Sequence, residues 1–162
     1  MRLTMYTDYT LRVLIFLALK HGSGERSTIP EIAEAYGISR NHLMKIVHDL
    51  GQRGIVETLR GRAGGLTLAR PPEQVSIGEV VRAAEGDFAL VECHVPGKTA
   101  NCAALPVCNL QRGFRVALEA FMRELDAMTL ADAVAQPAAM QALRGAVVPI
   151  AAAPGTKRAT LA

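Results

Sequence analysis

The sequence predicts a mainly α-helical chain with one small β-hairpin wing: a winged helix-turn-helix unit followed by a long helix. Three observations predict it. Two short helices flank a turn at Gly37-Ile38-Ser39. Two segments with apolar residues two apart follow at once, separated by Arg60-Gly61-Arg62-Ala63-Gly64-Gly65. Beyond them, Leu110, Phe114, Leu118, Phe121, Leu125 and Met128 recur at spacings of four and three. A length of 162 residues suits one domain with a core of its own.

The first helix is expected from about Thr7 to Lys20. Thr7 is its N-cap, Asp8 complements the dipole in the first turn, and Gly22 follows as a stop signal. Leu11, Leu14, Ile15 and Ala18 form its stripe, widened by Val13, Phe16 and Leu17, so most of the helix is expected to be buried. Thr28 opens the second helix, with Pro30 near its first position and Glu31 completing a capping box. This helix ends at Gly37. Ser39 caps the third, from Arg40 to about Arg53. Ile32, Ala33, Ile38, Leu43, Ile46, Val47 and Leu50 pack the two together. A plain helical hairpin shares this outline, but the hairpin that follows gives it a wing.

The wing strands are expected at Ile55–Leu59 and Leu66–Ala69. A glycine-rich tip lacks bulk, so it approaches a DNA backbone closely, and its arginines hold phosphates or enter the minor groove. An ordinary turn with solvated arginines is the bland alternative. Pro71-Pro72 ends the second strand, and Ser76 with Glu79 as capping-box partner starts a short helix to Ala84. The last helix is expected from Asn109 to Ala133. At 1.5 Å per residue it would be about 37 Å long and overreach a small winged domain, which points to dimerisation. The division is therefore 1–133, with a loop at 88–108 and a dimerisation helix at 109–133, and a flexible Ala/Pro-rich tail at 134–162. Residues 136–162 hold nine alanines, three prolines and no acidic residue.

The net charge is +3, unevenly spread. Residues 40–70 carry six basic and two acidic side chains, and residues 71–135 five basic and nine acidic. A basic middle suits phosphate, and an acidic continuation suits a face turned elsewhere. The start, Met1 to Tyr9, has no cleavable signal pattern, and the longest apolar run, Val13 to Leu19, is seven residues. Spanning a bilayer takes roughly 20. A cytoplasmic location and no membrane partner are expected.

Cys93, Cys102 and Cys108 are the only cysteines, all within 16 residues. An odd number cannot form a self-contained disulfide framework, so a thiolate-held metal or cluster leads. The Cys-x8-Cys-x5-Cys spacing is that of a loop, not of a zinc ribbon. Buried structural thiols are the alternative, but the residues from His94 to Asn101 are poor core material.

Thr7-Asp8-Tyr9, Gly37 to Leu43, Arg60 to Gly65 and three cysteines before a long helix occur together and in order. In these motifs residues 1 to about 133 resemble the iron–sulfur winged-helix repressors, and within them the NsrR family of nitric-oxide sensors, relatives of the IscR type. In the IscR type a histidine three residues after the last cysteine completes the ligation; here that position is Gln111. The resemblance implies a homodimer with one [4Fe–4S] cluster per subunit on Cys93, Cys102 and Cys108, the fourth ligand being Asp8 of the partner subunit. His94 is a rival ligand, and the interval from Cys93 to Cys102 is longer than usual for the family. The resemblance further implies a repressor that leaves its double-stranded DNA operators, genes of nitric-oxide detoxification, when nitric oxide destroys the cluster.

The residues expected at DNA are Thr28, Ser39, Arg40, Asn41, His42 and Lys45, with Arg60 and Arg62 on the wing. A [2Fe–2S] or general redox regulator of the same fold is the alternative. A small electron-transfer or zinc-binding protein with incidental basic charge is a third reading, and the wing arginines argue against it, since electron transfer has no use for them. No paired carboxylates, nucleophile motif or phosphate-cradling loop points to an enzyme.

Overall fold

Helix α1 (Met5–Leu19) packs against four other helices and the second strand of the wing. The computed structural model describes residues 2–61, 64–97 and 101–135. Of the expected tail, 134–162, residues 136–162 lie outside the described residues, as does Arg62, while Val134 packs against the core. Val13, Leu14, Leu17 and Ala18 of α1 are buried. They face α2 (Ile29–Tyr36), α3 (Arg40–Gln52), α4 (Ile77–Ala84), a short α6 (Leu130–Ala133) and the wing.

The start of α1 departs from expectation. Thr4, not Thr7, is the N-cap, its hydroxyl accepting from the Thr7 N–H at 3.3 Å. Thr7 is buried, and its own hydroxyl donates to Glu85 at the end of α4. The same carboxylate accepts from the Thr4 N–H at 2.7 Å and the Thr4 hydroxyl at 3.1 Å. Burial pushes Glu85 up, but these three donors outweigh it and hold the carboxyl below its usual value. A lowered folded-state pKa means that this contribution is present at neutral pH and fades as pH falls through the folded value.

The helix-turn-helix follows its local signals closely. Thr28 and Glu31 form the reciprocal capping box, and Gly37 ends α2 in the left-handed conformation with φ 63°. Ser39 caps α3 by accepting from the His42 N–H at 3.3 Å. Leu43, Ile46, Val47 and Leu50 turn one face of α3 into the core.

The wing strands β1 (Val56–Leu59) and β2 (Gly65–Leu68) are antiparallel, with Val56 opposite Leu68 and Leu59 opposite Gly65. A third extended segment, absent from the sequence reading, completes them. Ser27 donates to the Leu66 carbonyl at 3.0 Å and accepts from the Leu66 N–H at 2.7 Å. Gly65 makes that approach possible: a Cβ there would lie 2.7 Å from the Cβ of Arg26 and 2.9 Å from the Ser27 carbonyl.

The long C-terminal helix is shorter than expected. Helix α5 spans Asn109–Ala127, Met128 is extended, and Thr129 starts α6 with its own capping box to Asp132. The break has a tertiary cause. Ile77 donates to the Met128 carbonyl and Leu130 to the Val75 carbonyl, both at 2.8 Å, and Leu130 is fully buried. Those bonds cannot form on a continuous helix. Ser76 caps α4 as expected, accepting from the Glu79 N–H at 3.0 Å. The Glu79 carboxylate, expected to close a capping box, instead takes Arg70 at 2.8 Å.

Helices α4 and α5 touch through Gly78, where a Cβ would lie 2.9 Å from the Asp126 backbone nitrogen. Backbone cannot yield as a flexible side chain does. Gly78→Ala is expected to destabilise the fold by about 1–3 kcal/mol, the usual cost of overpacking. Urea denaturation measures it, and an unmoved midpoint would show that the two helices part freely.

Candidate nucleic-acid interface and thiol loop

Helix α3 carries its buried residues on one side, which leaves Arg40, Asn41, His42, Met44, Lys45 and His48 exposed. Its first turn has no acidic side chain, so the free N–H groups and helix dipole there favour an anion. The hydroxyls of Ser39 and Thr28 accept from backbone N–H groups at the starts of α3 and α2, and each keeps its own proton to donate. The two hydroxyls therefore stand at the starts of the two helices of the helix-turn-helix.

Helix α1 positions the α3 side chains. The Tyr6 hydroxyl donates to Asp49 at 2.5 Å, and the Lys45 ammonium lies 5.7 Å from the Tyr6 ring centroid. Burial, then the hydrogen bond to Asp49 and that group's charge, push the Tyr6 phenol up to about 12, so it keeps its proton throughout the physiological range. Asp49, the one acidic residue of α3, is thereby held against α1. His42 faces the Tyr9 ring with centroids 6.2 Å apart. Sequence reasoning missed Tyr6 and Asp49, since nothing in the chain order shows that residues 43 apart meet.

Arg60 is exposed where β1 runs into the wing tip. Gly61 there has φ 105°, a conformation that other residues rarely adopt, and the Gly64 N–H donates to its carbonyl at 2.9 Å. A Cβ on Gly64 would sit 2.5 Å from the Leu59 carbonyl, so the turn is closed by glycine alone. Arg26 is a basic residue that the sequence reading overlooked. It is exposed, and its Cβ lies against Gly65 on the third wing segment.

The cysteines occupy the loop between α4 and α5. Cys93 is half-buried in a single 3-10 turn, Glu92–His94. Cys102 is exposed, and Cys108 is half-buried at the start of α5. All three are free thiols. The His94 ring Nε2 lies 3.1 Å from the Gln111 carbonyl and must donate to it. That bond fastens the loop to the first turn of α5 and leaves only Nδ1 as a basic nitrogen. Asp8 is half-exposed on α1 and pairs with Arg12 at 2.9 Å. Among the described residues, no three His, Cys, Asp or Glu side chains gather closely enough to hold a metal ion. Thus the single chain does not bring Cys93, Cys102, Cys108 and Asp8 together.

Helix α5 leaves much of its stripe uncovered: Leu110 is 71% exposed and Phe114 39%, while Leu118, Phe121 and Leu125 are half-buried. No described helix is long and apolar enough to cross a membrane.

Comparisons with known proteins agree with this architecture. Residues 3–136 match the family model Rrf2, described as iron-dependent transcriptional regulator. The HTH-type transcriptional regulator NsrR of Bacillus subtilis (strain 168) is 54% identical over 134 residues, which is 83% of this chain and 90% of that protein. The structure of CymR, the global cysteine regulator of B. subtilis, superposes with a TM-score of 0.66 at 27% identity. That match covers 83% of this chain and 97% of CymR. T. potens IscR shares the fold, with a TM-score of 0.67 at 24% identity over 87% of this chain and 91% of its own. These relatives are regulators, not enzymes, and their winged-helix fold is the one described above. The protein is a DNA-binding transcriptional regulator, and its chain belongs to the Rrf2 family.

Proposed function

We propose that this regulator is a cytoplasmic homodimeric repressor that senses nitric oxide through one [4Fe–4S] cluster per subunit. The observation that carries the reading is the place of the thiols. Three free cysteines share one loop, and that loop joins the winged unit to a helix with an uncovered apolar face. Their chemistry fits the group, because thiolates are the usual ligands of iron–sulfur clusters. Cys93, Cys102 and Cys108 would hold it, with Asp8 of the partner subunit as the fourth ligand. When bound, such a cluster offers, at the iron with the oxygen ligand, a site open to a small diatomic.

The protein's own residues account for the coupling to DNA. Asp8 lies two residues from Tyr6, and Tyr6 is bonded to Asp49 of α3. Holding or releasing Asp8 therefore acts on the turn of α1 that fastens the reading helix. A two-fold dimer reads half-sites about one helical turn apart, so a small shift of each α3 weakens binding. Ser39, Arg40, Asn41, His42 and Lys45 would meet the major groove. Thr28 would meet a phosphate at the start of α2, and Arg60 and Arg62 would serve the wing.

The test is a nitric oxide titration of anaerobic protein on operator DNA, for wild type, Asp8→Ala and Asp8→Cys. Wild type is expected to release DNA, and Asp8→Cys to respond weakly, since sulfur replaces the labile oxygen. Asp8→Ala is expected to fold normally, because the exposed pair with Arg12 and the dipole contact are together worth about 1 kcal/mol. Its absorption should nevertheless change and fade faster in air. Identical titrations for all three would leave Asp8 as no more than the partner of Arg12.

A further inference from the structure

Met44 is 51% exposed in the midst of a polar helix face. It lies one turn after Arg40 and Asn41 and one turn before His48, with Lys45 beside it, and all of these are exposed. The apolar residues of α3 that serve the core are Leu43, Ile46, Val47 and Leu50, all buried on the opposite side. Met44 is no part of that core, and about half of its surface is open to water.

We propose that Met44 is a base-reading residue that recognises the C5-methyl group of a thymine in each half-site. This rests on the assignment of α3 to the major groove. Of the groups the four bases show there, the thymine methyl is the apolar one, and an apolar side chain is its natural partner. The neighbours of Met44 support the placement. Arg40 and Lys45 supply positive charge, and the N–H groups of the first α3 turn that Ser39 does not cap lie within one turn of it. Methionine also suits the contact, since its flexible, polarizable chain adapts to an irregular surface. Asn41 and Arg40 would read hydrogen-bonding edges; Met44 would read shape and apolarity at the neighbouring pair.

The experiment removes only the methyl. A duplex is selected from a random-sequence library by the full-length wild-type protein, and each thymine is then replaced singly by 2′-deoxyuridine. At one position per half-site, uridine is expected to weaken wild-type binding about fourfold, the worth of one buried methyl-sized group. Met44→Ala is expected to bind the parent duplex more weakly by a similar factor and to ignore that uridine. Met44→Leu keeps an apolar end and should retain the discrimination. Because Met44 is exposed, the variants should melt with the wild type. Sensitivity to uridine that persists in Met44→Ala, or its absence at every position in wild type, would overturn the proposal. A protein that selects no sequence would instead sink the assignment of α3, and Met44 with it.

Discussion

Anaerobically isolated Cys93→Ala, Cys102→Ala and Cys108→Ala proteins are each expected to be colourless, whereas the wild type should be brown with about four irons and four sulfides per chain. A cluster on three thiolates has no spare ligand among Cys93, Cys102 and Cys108, so each loss should be close to complete. Cys102 is the most telling. Its side chain is exposed and touches none of the buried core, so Cys102→Ala should keep the helical content and melting behaviour of the wild type. Loss of iron with an intact fold would then reflect ligation alone. Iron and sulfide analysis, absorption and circular dichroism on one preparation decide it. Stoichiometric zinc in a colourless wild type would sink the cluster, while the membership of the chain in its family would stand.

Phe114→Glu should convert the protein to a monomer and lower operator affinity by at least a hundredfold. Phe114 lies one turn beyond Leu110 on the uncovered stripe of α5 and is partly exposed in the single chain. A carboxylate is therefore tolerated by the isolated subunit but costly in an apolar interface, where it would be desolvated without a partner. A monomer engages only one half-site and forfeits the gain from binding both together. Sedimentation measures the first effect and titration against an operator duplex the second. A dimer that survives Phe114→Glu would move the interface away from this stripe.

The two predictions lie on opposite sides of what a linear reading can reach. The helix-turn-helix was fully legible in the sequence. Thr28, Pro30, Glu31, Gly37 and Ser39 cap and stop α2 and α3 by contacts spanning four residues or fewer, so order in the chain carries the information. The wing hairpin was legible for the same reason, its strands being joined by a short glycine turn. The thiols announced themselves by number and spacing alone.

Tertiary structure decided what depends on distant partners. Thr4 rather than Thr7 caps α1 because Glu85, 81 residues away, arrives to take both hydroxyls. The last helix was expected to run on to Ala133, beyond the end of its apolar stripe at Met128. The chain breaks there because Val75 and Ile77 offer main-chain bonds that a straight helix would forgo. Asp49 was one more charge in the sequence until Tyr6 claimed it, and Ser27 a loop residue until Leu66 paired with it. Local signals set each element by contacts within a turn or two. Where two elements compete for the same hydrogen-bonding group, the winner is settled by which surfaces the buried core brings together.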